Sequence, residues 1–234
     1  MKKKNLINLI ITSALFLCFI VFTVLVKVVD VSPIGPDGTS VGFAKMNGAV
    51  AEKLGVNLSV YTISDILGLC GMAVALVFAT IGVYQLIKNK SIKKVDVDLL
   101  VLAGLYVVTI LFYAFFEVVI VNYRPVMLDG VLSASYPSSH TMLSVTICAS
   151  AIIMILNKIR NKKISIPVSC AVGLLGVSII ATRLVSGVHW LSDIIGAIIL
   201  SGALVMAFVC VCSFFKDKQA VHEVVNTPEG ENVG

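Results

Sequence analysis

Six apolar runs, each long enough to cross a bilayer, constrain this chain more than anything else in it. A spanning helix needs roughly 20 predominantly apolar residues. The runs lie at about 6–26, 63–87, 99–121, 140–156, 166–185 and 189–215. They take up more than half of the 234 residues and leave no room for a sizeable soluble module. Composition agrees. The chain is 58% hydrophobic and 13% charged, with a mean hydropathy of +1.02, where soluble domains run at about 45–50% and about 25%. A soluble enzyme, a disordered chain and a nucleic-acid-binding tail are excluded. The expected fold is all-α: a six-transmembrane-helix bundle forming one membrane-embedded domain over residues 1–215. A polar, flexible cytoplasmic tail is expected at 216–234.

Lys2, Lys3 and Lys4 precede the first run, as in a signal peptide. The apolar stretch is too long for one, and no small-residue cleavage site follows, so it reads as an uncleaved first span. The loop from Asp30 to about Ser59 contains a segment, Phe43 to Leu54, patterned as a short amphipathic helix on the membrane surface. All six cysteines fall inside apolar runs and read as packing residues at lipid depth. For the Cys210-x-Cys212 pair, packing is preferred over a metal or lipid-attachment role.

Charge placement sets the topology. Lys2–Lys4, Lys88, Lys90, Lys93, Lys94, Lys158, Arg160, Lys162, Lys163, Lys216 and Lys218 all fall on one side if the runs alternate. The other side keeps Lys27, Lys45, Lys53, Arg124 and Arg183. The positive-inside rule then puts both termini in the cytoplasm. The net charge of +5 needs only this topology to explain it, not an acidic partner or a nucleic acid.

Charges at membrane depth are costly and are usually functional. Asp65 opens the second run and reads as interfacial. In the later spans remain Glu117, Arg124, His140, Arg183, His189 and Asp193. The topology puts all of these at or near the outer ends, so four helices converge polar groups on one patch. His189 and Asp193 are four residues apart, hence on one helix face, where the carboxylate can accept from one imidazole nitrogen and activate the other. Taken alone, that pair also reads as an interhelical polar contact, Arg183 as a snorkelling side chain and Arg124 as an interfacial anchor.

Tyr136-Pro137-Ser138-Ser139-His140-Thr141 opens the fourth span. Ser138 or Ser139 suits a helix N-cap, and free N–H groups there make an anion cradle. His140 beside the cradle can donate a proton to a leaving oxygen. Arg124, in Asn122-Tyr123-Arg124-Pro125, offers a planar fork matched to phosphate oxygens. Together these parts make a kit for phosphoryl transfer. The arginines and helix N-terminus hold phosphate and its developing charge, one histidine attacks phosphorus, and the other protonates the departing group. No metal or cofactor is called for, because the arginines supply the positive charge.

These residues resemble the motifs of the type 2 phosphatidic acid phosphatase superfamily. Arg183-x5-His189-x3-Asp193 looks like its third motif, with Thr182 where serine usually precedes the arginine. Pro137-Ser138-Ser139-His140 looks like its second, Pro-Ser-Gly-His, with Ser139 for glycine. Arg124-Pro125 looks like the end of its first, Lys-x6-Arg-Pro, with Glu117 at the lysine position. The resemblance implies His189 as nucleophile forming a phosphohistidine, Asp193 orienting it and His140 as general acid. It also implies that Arg124, Ser138, Ser139 and Arg183 hold the phosphate. Glu117 is expected one shell out, on the same face of the third span as Arg124 and ion-paired with Arg124 or Arg183.

The expected activity is a metal-independent phosphatase in the cell membrane, with its site facing the extracytoplasmic side. The expected partner is a phosphorylated membrane lipid of the phosphatidate, phosphatidylglycerol phosphate or polyprenyl diphosphate class. The rivals are a non-catalytic relative that binds a lipid phosphate, which Glu117 favours, and a transporter, which predicts polar residues at the bilayer midplane. Phosphotransfer to an alcohol other than water is a further variant within the enzyme class.

Overall fold

In a bilayer a single segment can satisfy its backbone only as a helix, so each apolar run becomes one. The computed structural model describes residues 2–226. Among these the chain forms α1 (Lys3–Val28), α2 (Ala44–Leu54), α3 (Leu58–Asn89), α4 (Val97–Val118), α5 (Ser139–Lys158), α6 (Lys162–Val185) and α7 (Leu191–Asn226). All but α2 are long and apolar enough to cross a membrane. No β-strand occurs among the described residues, only isolated bridges. The fold is therefore an all-α bundle of six spans.

Three boundaries differ from expectation, each with consequences for the site. Helix α3 begins at Leu58 rather than near 63 because Asn57 caps it, its side chain accepting from the Val60 N–H at 3.1 Å. Asp65 therefore lies two turns inside the helix instead of at its mouth. Helix α4 stops at Val118, short of the β-branched run that ends at Val121. Helix α7 begins at Leu191, so His189 precedes it, and it runs on to Asn226. The expected flexible tail thus starts as helix; residues 227–234 lie outside the described residues.

Helix α5 packs against α3, α4, α6 and α7, while α1 lies along α7. Of the six spans α5 has the lowest mean hydropathy, 1.8, yet it is among the most enclosed. Its buried Ser144, Thr146, Cys148, Ser150 and Ala151 are small, which lets neighbouring helices approach closely. At Gly176 of α6, an added Cβ would meet Cys148 Cβ at 3.2 Å. All six cysteines are free. Cys148, Cys210 and Cys212 are buried, whereas Cys18, Cys70 and Cys170 are exposed on helix surfaces and do not pack the interior.

Charges gather at the two ends of the bundle. At one end Lys158 pairs with Asp96 (2.5 Å) and Asp98 (3.0 Å), and Lys216 pairs with Asp98 (3.1 Å), joining α4, α5 and α7. Lys2 and Asn5 hold Asp217 there, at 2.6 and 2.9 Å. The candidate site occupies the opposite end. Between Asp65 and Lys88, Asp98 and Glu117, His140 and Lys158, Lys163 and Arg183, and Asp193 and Lys216, no charged residue interrupts a span. That pattern is the opposite of what a midplane transport path needs.

Helix α2 is tied into the bundle at this second end. Buried Asn47 donates to Gly42 O at 2.7 Å and to Ser192 Oγ at 2.9 Å, and its Oδ1 accepts from the Ser192 N–H at 3.1 Å. It thereby satisfies a donor in the first turn of α7. The turn between α6 and α7 depends on Gly187, which has φ +68; an added Cβ would lie 1.9 Å from Gly55 O. Only glycine fits such a crossing. The Asn57 N–H donates to Ser186 O at 3.0 Å and fastens α3 to the same turn.

Candidate active site

The 20 residues between α4 and α5 fold back on themselves because Asp129-Gly130 makes a tight turn, with φ of 54° and 71°. Bridges pair Leu128 with Val131 and Tyr123 with Ala134. The Arg124 N–H donates to Ser133 O (3.1 Å), and the Ser135 N–H to Asn122 O (2.9 Å). This hairpin brings Asn122, Arg124 and Ser135 together although the chain separates them. Trp190 Nε1–H donates to Tyr123 O at 2.7 Å and holds the hairpin against the start of α7. Tyr136 anchors its other end. It is 1% exposed, T-shaped against Phe116 and stacked on Phe19, and its ring closes so tightly on Gly196 that a Cβ there would come within 2.5 Å.

Asp193 is the third residue of α7 and reaches back to accept from the Trp190 N–H at 2.9 Å, as an acidic residue does in a capping box. The same oxygen accepts from Ser135 Oγ–H at 2.5 Å, and the other accepts from Asn122 Nδ2–H at 3.3 Å. The expected direct pairing with His189 is not what the fold forms. His189 Nδ1 lies 3.8 Å from the carboxylate and 3.0 Å from Ser135 Oγ. Ser135 stands between them because His189 sits in the turn before α7, off the helix face that the four-residue spacing implied. His189 Nε2 is buried and has no hydrogen-bond partner. Burial, above all, holds this imidazole below the usual histidine range; Arg124 and Arg183 push the same way, and Asp193 opposes them.

Arg183 is fully buried at the end of α6. Its Nη2 donates to Asp65 Oδ1 at 2.7 Å, and its Cζ lies 4.8 Å from the centre of the Tyr61 ring. Its Nε and Nη1 have no partner. Asp65 also faces His140, whose Nε2 is 3.4 Å from the same Oδ1, while His140 Nδ1 is buried and unpartnered. Asp65, expected to be merely interfacial, therefore joins the site from α3. Arg183 does not snorkel; it turns inward.

Ser138 is the N-cap of α5, but its side chain caps nothing. Its Oγ donates to Thr141 Oγ1 at 3.1 Å. Asn57, Asp96 and Asn161 cap α3, α4 and α6 with side-chain oxygens, so α5 alone among these leaves its first N–H groups to other acceptors. Arg124 is partly buried, and its Nε–H reaches Ala134 O at 3.4 Å. Glu117 forms no ion pair with Arg124 or Arg183. Helix α4 ends one residue after it, so Arg124 is not on the same helix and the shared-face expectation fails. Glu117 instead lines a narrow pocket with Ser135, Ser139 and His189.

The fold thus gathers all eight residues that the sequence analysis singled out and adds Asp65, Ser135 and Asn122. The Asp-Gly turn was the available signal for the last two, since it pairs residues 122–124 with 133–135. A family model described as the PAP2 superfamily matches residues 69–217, a stretch that contains every site residue except Tyr61 and Asp65. No curated protein matches the chain. Among solved structures, the chain resembles the crystal structure of the first transmembrane PAP2 type phosphatidylglycerolphosphate phosphatase from Bacillus subtilis. The TM-score is 0.61 at 18% identity, over 89% of this chain and 96% of that one, which is a likeness of fold.

Proposed function

The chain belongs to the PAP2 superfamily, and from that membership we propose that this multi-pass membrane protein is a phosphatase acting on a phosphorylated lipid through a phosphohistidine on His189. One observation carries the reading. Four buried nitrogens, His189 Nε2, His140 Nδ1 and Arg183 Nε and Nη1, lack hydrogen-bond partners at the uncapped start of α5. Unsatisfied buried donors are costly; the oxygens of a phosphoryl group would accept from the Arg183 and His140 nitrogens, and its phosphorus would meet the lone pair of His189 Nε2.

In the first step the Nε2 lone pair of His189 attacks phosphorus. The N–P bond forms as the P–O bond to the lipid breaks, and His140 protonates the departing oxygen. Arg183, Arg124, Ser138 and the N–H groups from Ser139 onward hold the phosphoryl oxygens as charge develops. In the second step water attacks the phosphohistidine and gives its proton to His140. The positive charge comes from the arginines, so the mechanism asks for no metal.

The substrate class proposed is a lipid phosphomonoester or diphosphate, of the phosphatidate, phosphatidylglycerol phosphate or polyprenyl diphosphate kind. Two points support it: the site lies at the ends of the spans, where headgroups would sit in a bilayer, and the spans around it are apolar. With the lysines of the opposite end in the cytoplasm, both termini are cytoplasmic and the site faces outward. Purified protein in detergent should release phosphate from at least one such lipid. A chelator should leave the rate unchanged, and vanadate should inhibit. Binding of lipid phosphates without release would instead favour the non-catalytic reading, which the partnerless Glu117 in the pocket supports.

A further inference from the structure

We propose that Ser135 is a positioning residue that couples Asp193 to His189 and fixes which imidazole nitrogen attacks. The proposal rests on the phosphatase reading above. Its basis is a count of hydrogen bonds. The Asp193 carboxylate accepts three, from Trp190 N–H, Asn122 Nδ2–H and Ser135 Oγ–H. Ser135 has one hydroxyl proton, and at 2.5 Å it goes to the carboxylate. Toward His189, 3.0 Å away, Ser135 Oγ can then only accept. The ring proton must therefore sit on Nδ1. Nε2 carries the lone pair, and it is the buried nitrogen with no partner.

The relay also responds to the reaction. When Nε2 bonds to phosphorus, the ring becomes cationic. The Nδ1–H···Oγ–H···carboxylate chain strengthens without any proton leaving its atom. Asp193, 3.8 Å from Nδ1, acts on the ring mainly through Ser135. Ser135 is 3% exposed, so water does not readily replace its hydroxyl. The other charged or titratable groups around His189 are Arg124 and Tyr136 from the hairpin, Arg183 from α6, Glu117 and Tyr113 from α4 and His140 from α5, and the Tyr136 hydroxyl is engaged with Thr23. None of them offers Nδ1 an acceptor.

Two measurements test this. In Ser135→Ala, kcat should fall roughly 10- to 100-fold while KM stays within about twofold, as expected for loss of a bond to a developing charge. Without the relay the imidazolium loses support, so the acid limb of kcat/KM should move to lower pH. An unchanged kcat, or a loss confined to KM, would overturn the proposal. The second measurement needs neither turnover nor a variant of Ser135. In 15N-labelled wild-type protein the His189 ring should show a protonated Nδ1 and an unprotonated Nε2, assigned by replacing His140 and His222 in turn. The opposite tautomer would overturn the proposal even if the enzyme is active. A wild-type protein inactive on every lipid phosphate would instead defeat the phosphatase reading and leave the tautomer to decide this one.

Discussion

The carboxylate of Asp65 accepts a 2.7 Å hydrogen bond from Nη2 of Arg183, and this pair fastens the start of α3 to the end of α6. Arg183 is fully buried, whereas Asp65 is 40% exposed. The carboxylate is thus the arginine's counter-ion in the free protein, and a bound phosphate would share or take over that role. Removing Asp65 leaves a buried cation without compensation. Asp65→Ala should lower the melting temperature in detergent by roughly 3–6 °C. Vanadate should stabilise this variant more than the wild type, because the anion supplies the missing charge. Equal melting temperatures without ligand would contradict the assignment.

Glu117, an exposed residue on the pocket wall, should weaken the pocket's hold on an anion. It lines the pocket beside His189 and has no cation to neutralise it. Glu117→Gln should therefore tighten vanadate inhibition modestly. Glu117→Lys should tighten it by roughly five- to tenfold, since it replaces a repulsion by an attraction at the pocket wall. Inhibition constants across the three proteins check this, and an order that places Lys weakest would contradict it.

The pH profile follows from the burial of His189. Only the neutral imidazole can attack, and burial, aided by Arg124 and Arg183, disfavours the charged form. The neutral form therefore persists to lower pH than for an exposed histidine. The acid limb of kcat/KM, which reports the free enzyme, should fall below about 6.5, the ordinary histidine value. A limb above that value would mean that His189 is not buried among cations when substrate arrives.

The fold was legible in the sequence to the extent that a bilayer enforces it. Every apolar run became a span, and the turn from α6 into α7 falls at Gly187, where the backbone needs a positive φ. The errors lie where apolarity carries no boundary information. Val118-Val119-Ile120-Val121 reads as continuing helix and predicts a shared face for Glu117 and Arg124, but α4 ends at Val118 and the two do not share a helix. Asn57, a capping residue ahead of the second run, marks the true start of α3 and would have placed Asp65 inside the helix. Arg124, His140, Arg183, His189 and Asp193 were legible because charge at membrane depth is costly. Ser135 and Asn122 were not, because a polar residue in a polar loop attracts no notice until the hairpin pairs it with Asp193.

Orientation can be read chemically. A cysteine at Val131, on the exposed hairpin, should react with an impermeant thiol reagent in intact cells. A cysteine at Arg160, between α5 and α6, should react only after the cells are opened. The unsubstituted chain, with its six cysteines, gives the background. The reverse pattern would place the site in the cytoplasm.

The central claim is a covalent bond between His189 Nε2 and phosphorus. Its most direct test is to mix the protein with a 32P-labelled phosphomonoester that has a good leaving group, quench in alkali within a turnover, and map the label. Wild-type protein should carry label on His189. His140→Ala should carry more, because hydrolysis of the intermediate loses its base, and His189→Ala should carry none. Phosphate release that proceeds with no label on His189, or with label on another residue, would contradict the account.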